Sequence, residues 1–430
     1  MRLGGYSVRV RILVLGSGAR EHAIITSLLS ELTEAGTPAH EITAAPGNAG
    51  IAADVETVAL DPTNGSIVSR YAADNGIELV VIGPEAPLVA GVADAVRAAG
   101  IPVFGPGKAA AALEGSKTFA KRIMDAAGVP TGRATRAADH DAAIAAIDEY
   151  GAPYVIKADG LAAGKGVLVS PDRDAAIAHA DYWLQHGDVL VEEFLDGQEV
   201  SLFLLSDGTD VVPLSPAQDY KRVFDGDAGP NTGGMGAYSP LPWLPAEFVD
   251  DIIDTVALPT IRQLAAEGTP FVGLLYCGLI VTAKGVRVIE FNARFGDPET
   301  QVVLPRLETP LAGLLFAAAT GTLGTQTYPV FSPEVAVTVV VASEGYPESP
   351  ITGRPIFGLD DAAEVHGVTI AHAATAMLDG QFIATGGRVL TVVARGNDFA
   401  QARSRAYEAL ALIELEGSHY RTDIAARVAQ

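Results

Sequence analysis

The stretch ADGLAAGKGV, residues 158–167, looks like a phosphate-binding loop and breaks the rule for one. A Walker loop places four residues between its first glycine and the Gly-Lys pair, then Ser or Thr to hold magnesium. Here three residues separate Gly160 from Gly164, and Gly166 stands where the hydroxyl should be. The flanks decide the reading. PYVIKAD before the loop and GVLVS after it are both apolar strands, so the loop joins two strands instead of opening a helix.

Around this loop a small unit of about residues 129–197 is expected, with a helix at 139–150 and a closing strand DVLVEEF. Upstream, VRVRILVLG, EITAAPG, ETVAL, IELVVIGPE and IPVFGPG alternate with helical segments, the pattern of parallel βαβ units. Ligands in such sheets bind beyond the carboxyl ends of the strands, where GSGAREH, APGNAG and GPEAPL lie. Residues 108–128 read as connecting helix. Downstream, EVSLFLLSDGTDVVPLSPAQ reads as a hairpin turning at Asp207-Gly208, residues 219–240 as a long glycine-rich loop, and FVGLLYCGLIVTAKGVRVIEFNARF as a second hairpin. The last hundred residues read as strands with one late helix from Asp398 to Leu415.

The fold class expected is therefore α/β and α+β in several domains: a Rossmann-like parallel-sheet domain over 1–107, a core over 108–330 carrying the lid at 129–197, and a small α+β domain over 331–430. The longest apolar runs are too short for a membrane span, which needs about 18 residues. One cysteine, Cys277, excludes an internal disulfide, and a cytoplasmic setting is the default. The net charge of −23 argues against nucleic acid as a partner, since such binding draws on Lys and Arg. Only seven of the 29 basic residues are lysines, and Lys117, Lys157, Lys165 and Lys221 sit in glycine-rich or acidic loop contexts.

VIEFNARFGDPET, residues 288–300, is the strongest local constellation. Strand alternation puts Glu290, Asn292 and Arg294 on one face. Carboxylate and amide oxygens two residues apart suit magnesium, which completes its shell with phosphate and water. A salt bridge between Glu290 and Arg294 is the plainer alternative. Lys157 lies within an apolar strand, where an unpaired ammonium is costly and a phosphate would supply the missing charge. At about 4 Å and an effective dielectric near 20 that contact is worth about 4 kcal/mol. In GSGAREH, Glu21 occupies the place of the third glycine of a dinucleotide fingerprint, which argues against a nicotinamide site. The turn still offers backbone N–H groups and Arg20 to a phosphate, or serves only as a strand-to-helix turn.

In order along the chain, GSGAREHA, APGNAG, GPEAPLVAGV, LEGSK, IKADGLAAGKGV, EEFLDGQE, DYKR, GPNTGGMGAYSP and EFNARFGDPET resemble the phosphoribosylamine–glycine ligase family (glycinamide ribonucleotide synthetases), of the ATP-grasp superfamily. The resemblance implies ligation of glycine to 5-phosphoribosylamine with ATP, through a glycyl phosphate, in purine biosynthesis. It implies that Lys117, Lys157 and Lys165, with Gly160, Gly164 and Gly166, address the ATP phosphates. Glu192, Glu193, Phe194 and Leu195 would read adenine, and Glu199 the ribose. Glu290 and Asn292 would hold Mg2+, with Mn2+ as the alternative. Arg294 and Lys165 would act on the transferring phosphate. Gly18, Arg20, Glu21, Gly47, Asn48, Glu85, Asp219, Lys221, Gly296 and Asp297 are the candidates for phosphosugar and glycine. The partners expected are these small molecules, with no nucleic acid and no membrane, acting on a monomer or a weak dimer. The rivals are a bicarbonate-using ATP-grasp carboxylase, a dinucleotide-dependent oxidoreductase and a noncatalytic nucleotide sensor.

Overall fold

The computed structural model describes residues 9–160 and 166–430, so Gly164 and Lys165 lie outside the described residues. The N-terminal sheet is built from β1 (Arg11–Gly16), β2 (Glu41–Pro46), β3 (Glu56–Thr57), β4 (Leu79–Ile82) and β5 (Val103–Phe104), in the order β3-β2-β1-β4-β5 and parallel throughout. Ile12, Leu13, Val14 and Leu15 are wholly buried, as a central parallel strand covered on both faces must be. The three loops meet at the carboxyl ends of the strands: Gly47 N–H donates to the Gly16 carbonyl at 3.1 Å and Gly83 N–H to the Leu15 carbonyl at 3.0 Å.

The lid is a four-stranded antiparallel sheet of β6 (Ala134–Ala137), β7 (Tyr154–Ala158), β8 (Val167–Ser170) and β9 (Val189–Glu192), ordered β6-β9-β7-β8. Helices His140–Tyr150 and Arg173–Leu184 pack on it around Ala143, Ile147, Ile156, Ala176 and Val191, a core separate from the main ones. Small alanines let those helices approach closely. The 158–167 stretch indeed runs from β7 to β8, closed at its base by Ala158 N–H on the Gly166 carbonyl at 2.8 Å.

Behind the lid, strands Val211–Pro213, Gln198–Asp207, Val272–Thr282 and Gly285–Asn292 form an antiparallel sheet in that order. The first turn is one residue longer than expected. It occupies Gly208 to Asp210 because the Asp207 carboxylate accepts from the N–H groups of Thr209 and Asp210, at 3.0 and 2.8 Å.

The segment 219–240 departs from the expected loop. Arg222–Phe224 pairs with Ala228–Asn231, and Gln218–Asp219 and Gly236–Ser239 join the five-stranded sheet completed by Val335–Ala342, Arg388–Gly396 and Val368–His372. The strand-forming signal is hidden because the glycines of the segment read as loop, while the strand it pairs with, Val335–Ala342, lies about a hundred residues away and is beyond the reach of local pattern. The late helix ends at Leu410, short of Leu415, since Leu415 pairs instead with Ile356. Among the described residues no helix is long and apolar enough to cross a membrane.

Candidate active site

A cleft of about 910 Å³ lies between the lid, the antiparallel sheet behind it and the C-terminal segment. Its deep wall is the strand Gly285–Asn292 and its continuation to Arg294. Glu290, Asn292 and Arg294 all face the cleft, as strand alternation predicts. The Glu290–Arg294 salt bridge does not form. Arg294 turns to Glu114 at 3.2 Å and Glu85 at 3.5 Å; burial works against its charge, but Glu114 and Glu85, joined by Glu299 and Tyr276, together outweigh burial and hold its pKa above the ordinary value. Glu114 sits on the connecting helix Lys108–Gly115 and accepts from the Ala293 N–H at 2.7 Å. Burial pushes Glu114 above the usual carboxylate range, while burial is outweighed at Glu85 by Arg294 and Arg20, which hold it below.

Burial alone would raise Glu290 as well, yet Lys221, Lys157, Lys117 and Arg294 keep it below the ordinary value. An ionised carboxylate amid four cations, with an amide oxygen two residues on, is a site prepared for anionic phosphates and a hard cation together. Among the described residues no group of three or more His, Cys, Asp or Glu side chains converges as a metal cage. That donor set fits magnesium, which keeps waters and phosphate oxygens and takes one or two protein oxygens, and fits zinc poorly.

The lysines come from three elements. Lys117 opens the helix Lys117–Ala127, capped by Ser116, whose hydroxyl accepts from Phe119 N–H at 3.1 Å and donates to Asp159 of the lid loop at 3.1 Å. Its ammonium donates to the Gly160 carbonyl at 3.1 Å, and burial lowers its pKa. Lys157 differs from expectation: its ammonium is not left for a phosphate alone but pairs with Glu192 at 2.8 Å and donates to the Ile289 carbonyl. Lys121 approaches the same carboxylate at 3.4 Å. Glu192 is therefore held between two lysines, while Glu193, on the opposite strand face, pairs outward with Arg133. Phe194 and Leu195 line the cleft with their half-exposed side. Lys221 pairs with Glu199 at 2.5 Å and lies 4.0 Å from Asp219. Burial raises the Asp219 carboxyl to about 7, with Lys221 opposing and Glu299 reinforcing.

Of the candidates for the phosphosugar and glycine side, Glu85 and Asp297 line the cleft, whereas Gly18, Arg20, Glu21, Gly47, Asn48 and Gly296 sit apart from its lining. Glu21 is buried. Its carboxylate accepts from Gly18 N–H at 2.6 Å and Arg20 Nε at 2.5 Å, and a Cβ on Gly16 or Gly83 would collide with it. Its side chain shapes the loop from beneath. Arg20 reaches the Phe295 carbonyl at 3.2 Å, joining the first loop to the catalytic strand. Gly47 has φ +72°, and a Cβ there would meet Thr57. The Asn48 amide donates to the carbonyls of Ser17 and His372, at 2.9 and 2.8 Å, and its oxygen accepts from Ile51 N–H. Gly296 packs against Glu299, and Asp297 is held by Arg388 at 3.1 Å and Gln301 at 2.8 Å.

Sequence reasoning missed Glu114 and Glu299, although LEGSK and DPET contain them. It also missed Tyr276, which donates to Glu299 at 2.9 Å, and the C-terminal residues Arg421, Asp423 and Arg427, which line the cleft mouth. A carboxylate-and-amide strand within an antiparallel sheet, faced by lysines from the helix Lys117–Ala127, from β7 of the lid and from position 221, makes this an ATP-grasp protein. The family model described as "Phosphoribosylglycinamide synthetase, ATP-grasp (A) domain" matches residues 115–300, its N domain 10–114 and its C domain 336–427. The phosphoribosylamine–glycine ligase of Leifsonia xyli subsp. xyli is 73% identical, over 97% of this chain and all of that one. The solved structure of the Thermotoga maritima phosphoribosylamine–glycine ligase superposes with a TM-score of 0.82 at 33% identity, covering 96% of this chain and 100% of that one. The biotin carboxylase domain of Hydrogenobacter thermophilus 2-oxoglutarate carboxylase, solved with MgADP and bicarbonate, shares the fold at a TM-score of 0.69 and 18% identity, over 95% and 91% of the two chains. The chain belongs to the phosphoribosylglycinamide synthetase family.

Proposed function

We propose that this chain joins glycine to 5-phosphoribosylamine at the expense of ATP, giving glycinamide ribonucleotide, ADP and phosphate in purine biosynthesis. Family membership over nearly the whole chain supports the substrates. The observation that carries the chemistry is Glu290, kept ionised by Lys221, Lys157, Lys117 and Arg294 at the floor of the cleft.

In the first step a glycine carboxylate oxygen attacks the γ-phosphorus, and the bond from that phosphorus to ADP breaks. In the second, the amine of phosphoribosylamine attacks the carbonyl carbon of the glycyl phosphate, loses a proton, and phosphate leaves. Phosphoryl transfer asks mainly for alignment and charge neutralisation. Lys117, Lys157 and Lys165 with Gly160, Gly164 and Gly166 bind the phosphates, and Arg294 neutralises the group in transfer. Glu192, Glu193, Phe194 and Leu195 receive the adenine and Glu199 the ribose. Glu290 and Asn292 hold Mg2+, which when bound polarises the phosphate oxygens. Gly18, Arg20, Gly47, Glu85, Asp219, Lys221, Gly296 and Asp297 orient the other two substrates, with Glu21 and Asn48 holding their loops. The acyl phosphate is short-lived in water, which gives the lid its purpose.

The same reading divides the chain at 1–107, 108–330 and 331–430 with the lid at 129–197, close to the limits of the three family models. It takes the cytoplasm as the setting and a monomer as the working form. ADP release that requires both glycine and phosphoribosylamine is the expected result. Turnover driven by bicarbonate without glycine would instead place the chain with its carboxylase fold neighbours.

A further inference from the structure

Arg421 is wholly buried although it stands only nine residues before Gln430, in a segment with no part in the motifs above. Its guanidinium uses both edges and one face. Nε and Nη2 form a fork on Asp423, at 2.7 Å each, while Nη1 donates to Asp227 at 2.8 Å and to the Arg222 carbonyl at 3.1 Å. Its flat face lies 4.8 Å from the centre of the Tyr220 ring. Tyr220 and Arg222 are the two neighbours of Lys221, so one guanidinium grips the chain on both sides of the lysine that pairs with Glu199 and faces Glu290.

The surrounding contacts repeat the pattern. Tyr220 accepts at its hydroxyl from Ala425 N–H at 3.0 Å, Asp423 accepts from Gly226 N–H at 2.8 Å, and Asp225 accepts from Thr422 N–H at 2.8 Å. Behind the segment, Arg403 of the helix Phe399–Leu410 donates to the carbonyls of Thr422 and Ile424, and among the described residues it makes no hydrogen bond or ion pair to the ribbon at 220–231. The C-terminal segment is thus a strap with one side on the last domain and the other on the cleft wall.

We infer that Arg421 is a positioning residue of the active site, which sets Lys221 at its station between Glu199, Asp219 and Glu290 by holding Tyr220 and Arg222. The planar fork is what the task needs. A lysine cannot bond Asp423, Asp227 and a carbonyl at once while stacking on a ring. The inference rests on the ligase reading for its assay, and wild-type turnover tests that reading separately.

The full chain would be compared as wild type, Arg421→Met, Asp227→Asn and Arg403→Met, measuring kcat and KM for each substrate, MgATP binding by calorimetry, and thermal unfolding. Arg421→Met is expected to lower kcat more than tenfold, beyond any loss of folded protein. Asp227→Asn, a change at an exposed carboxylate, is expected to lower kcat severalfold with an unchanged melting temperature. Arg403→Met is expected to lower the melting temperature while kcat per folded molecule stays at the wild-type value. If Arg421→Met does not fold, Asp227→Asn decides. Wild-type kcat in Asp227→Asn, or kcat losses in Arg421→Met and Arg403→Met that only track the folded fraction, would overturn the inference. A wild-type protein inactive with glycine and phosphoribosylamine would sink the ligase reading instead, and MgATP affinity would then report on Lys221.

Discussion

Lys157 and Glu192 meet inside the lid with Nζ 2.8 Å from Oε2, each side chain less than a tenth exposed. They lie diagonally across β7 and β9, whose register sets Val155 opposite Glu192 and Lys157 opposite Leu190. A pair that lies this deep is held together by its own charges, and removing one member leaves the other buried and uncompensated.

Glu192→Leu is therefore expected to cost about 3–5 kcal/mol of stability, the usual loss when a buried pair is broken. Lys157→Met should cost less, because Lys121 still faces Glu192 at 3.4 Å. The double variant Lys157→Met/Glu192→Leu should recover part of the loss. Urea unfolding of the four proteins measures it, and losses that simply add would show that the two side chains do not act as a pair.

Glu290→Gln keeps the volume of the side chain and removes the charge that four cations surround. Activity is expected to fall by about 100-fold or more, the scale seen when one preorganised electrostatic group is deleted. Raising Mg2+ should restore only part of it. ADP release across a magnesium titration checks this, and full activity in the variant would remove Glu290 from the metal site.

Asn48→Ala should act on the fold before it acts on chemistry. Three hydrogen bonds end at its amide, and leaving their partners bare costs about 1–3 kcal/mol. Since two of those bonds tie the first loop to the C-terminal domain, KM for phosphoribosylamine should rise while KM for ATP stays put. A rise in both would point to a general loosening.

His372 gives a pH dependence of stability. Burial, with His22 adding to it, lowers its pKa to about 4 from the ordinary 6.5. The unfolded chain then binds the proton more readily than the folded one between those values. Stability from this group is full above about pH 6.5 and is lost as pH falls towards 4, by roughly 3 kcal/mol in total. Unfolding free energies of wild type and His372→Gln from pH 4 to 8 should diverge only in that window.

The elements that local pattern can report were legible. The five parallel strands were marked by short apolar runs, three of them ending in the glycine loops GSGAREH, APGNAG and GPEAPL, and β7 and β8 by the apolar flanks of the 158–167 loop. Glu290, Asn292 and Arg294 were found on one face because strand period two is a property of the strand itself. What was not legible depends on partners far along the chain. Glu114 contacts Arg294 across 180 positions, Arg421 contacts Arg222 across 199, and neither has a periodicity to announce it. The Lys157–Glu192 pair was hidden differently: both residues were singled out, but for different parts of the nucleotide.

The five-stranded sheet of the C-terminal region has a consequence for how this protein can be divided. Its strands Gln218–Asp219, at one edge, and Gly236–Ser239, the next one in, are made more than ninety residues before Val335–Ala342, along which Gly236–Ser239 pairs. A fragment that begins at residue 331 would present that apolar strand with one side unpaired, a surface prone to association with other chains. Transplanting or expressing the last hundred residues as a module would require carrying along the ribbon that bears Lys221. Inheritance of the two parts, by fusion or by exchange, is bound to be joint.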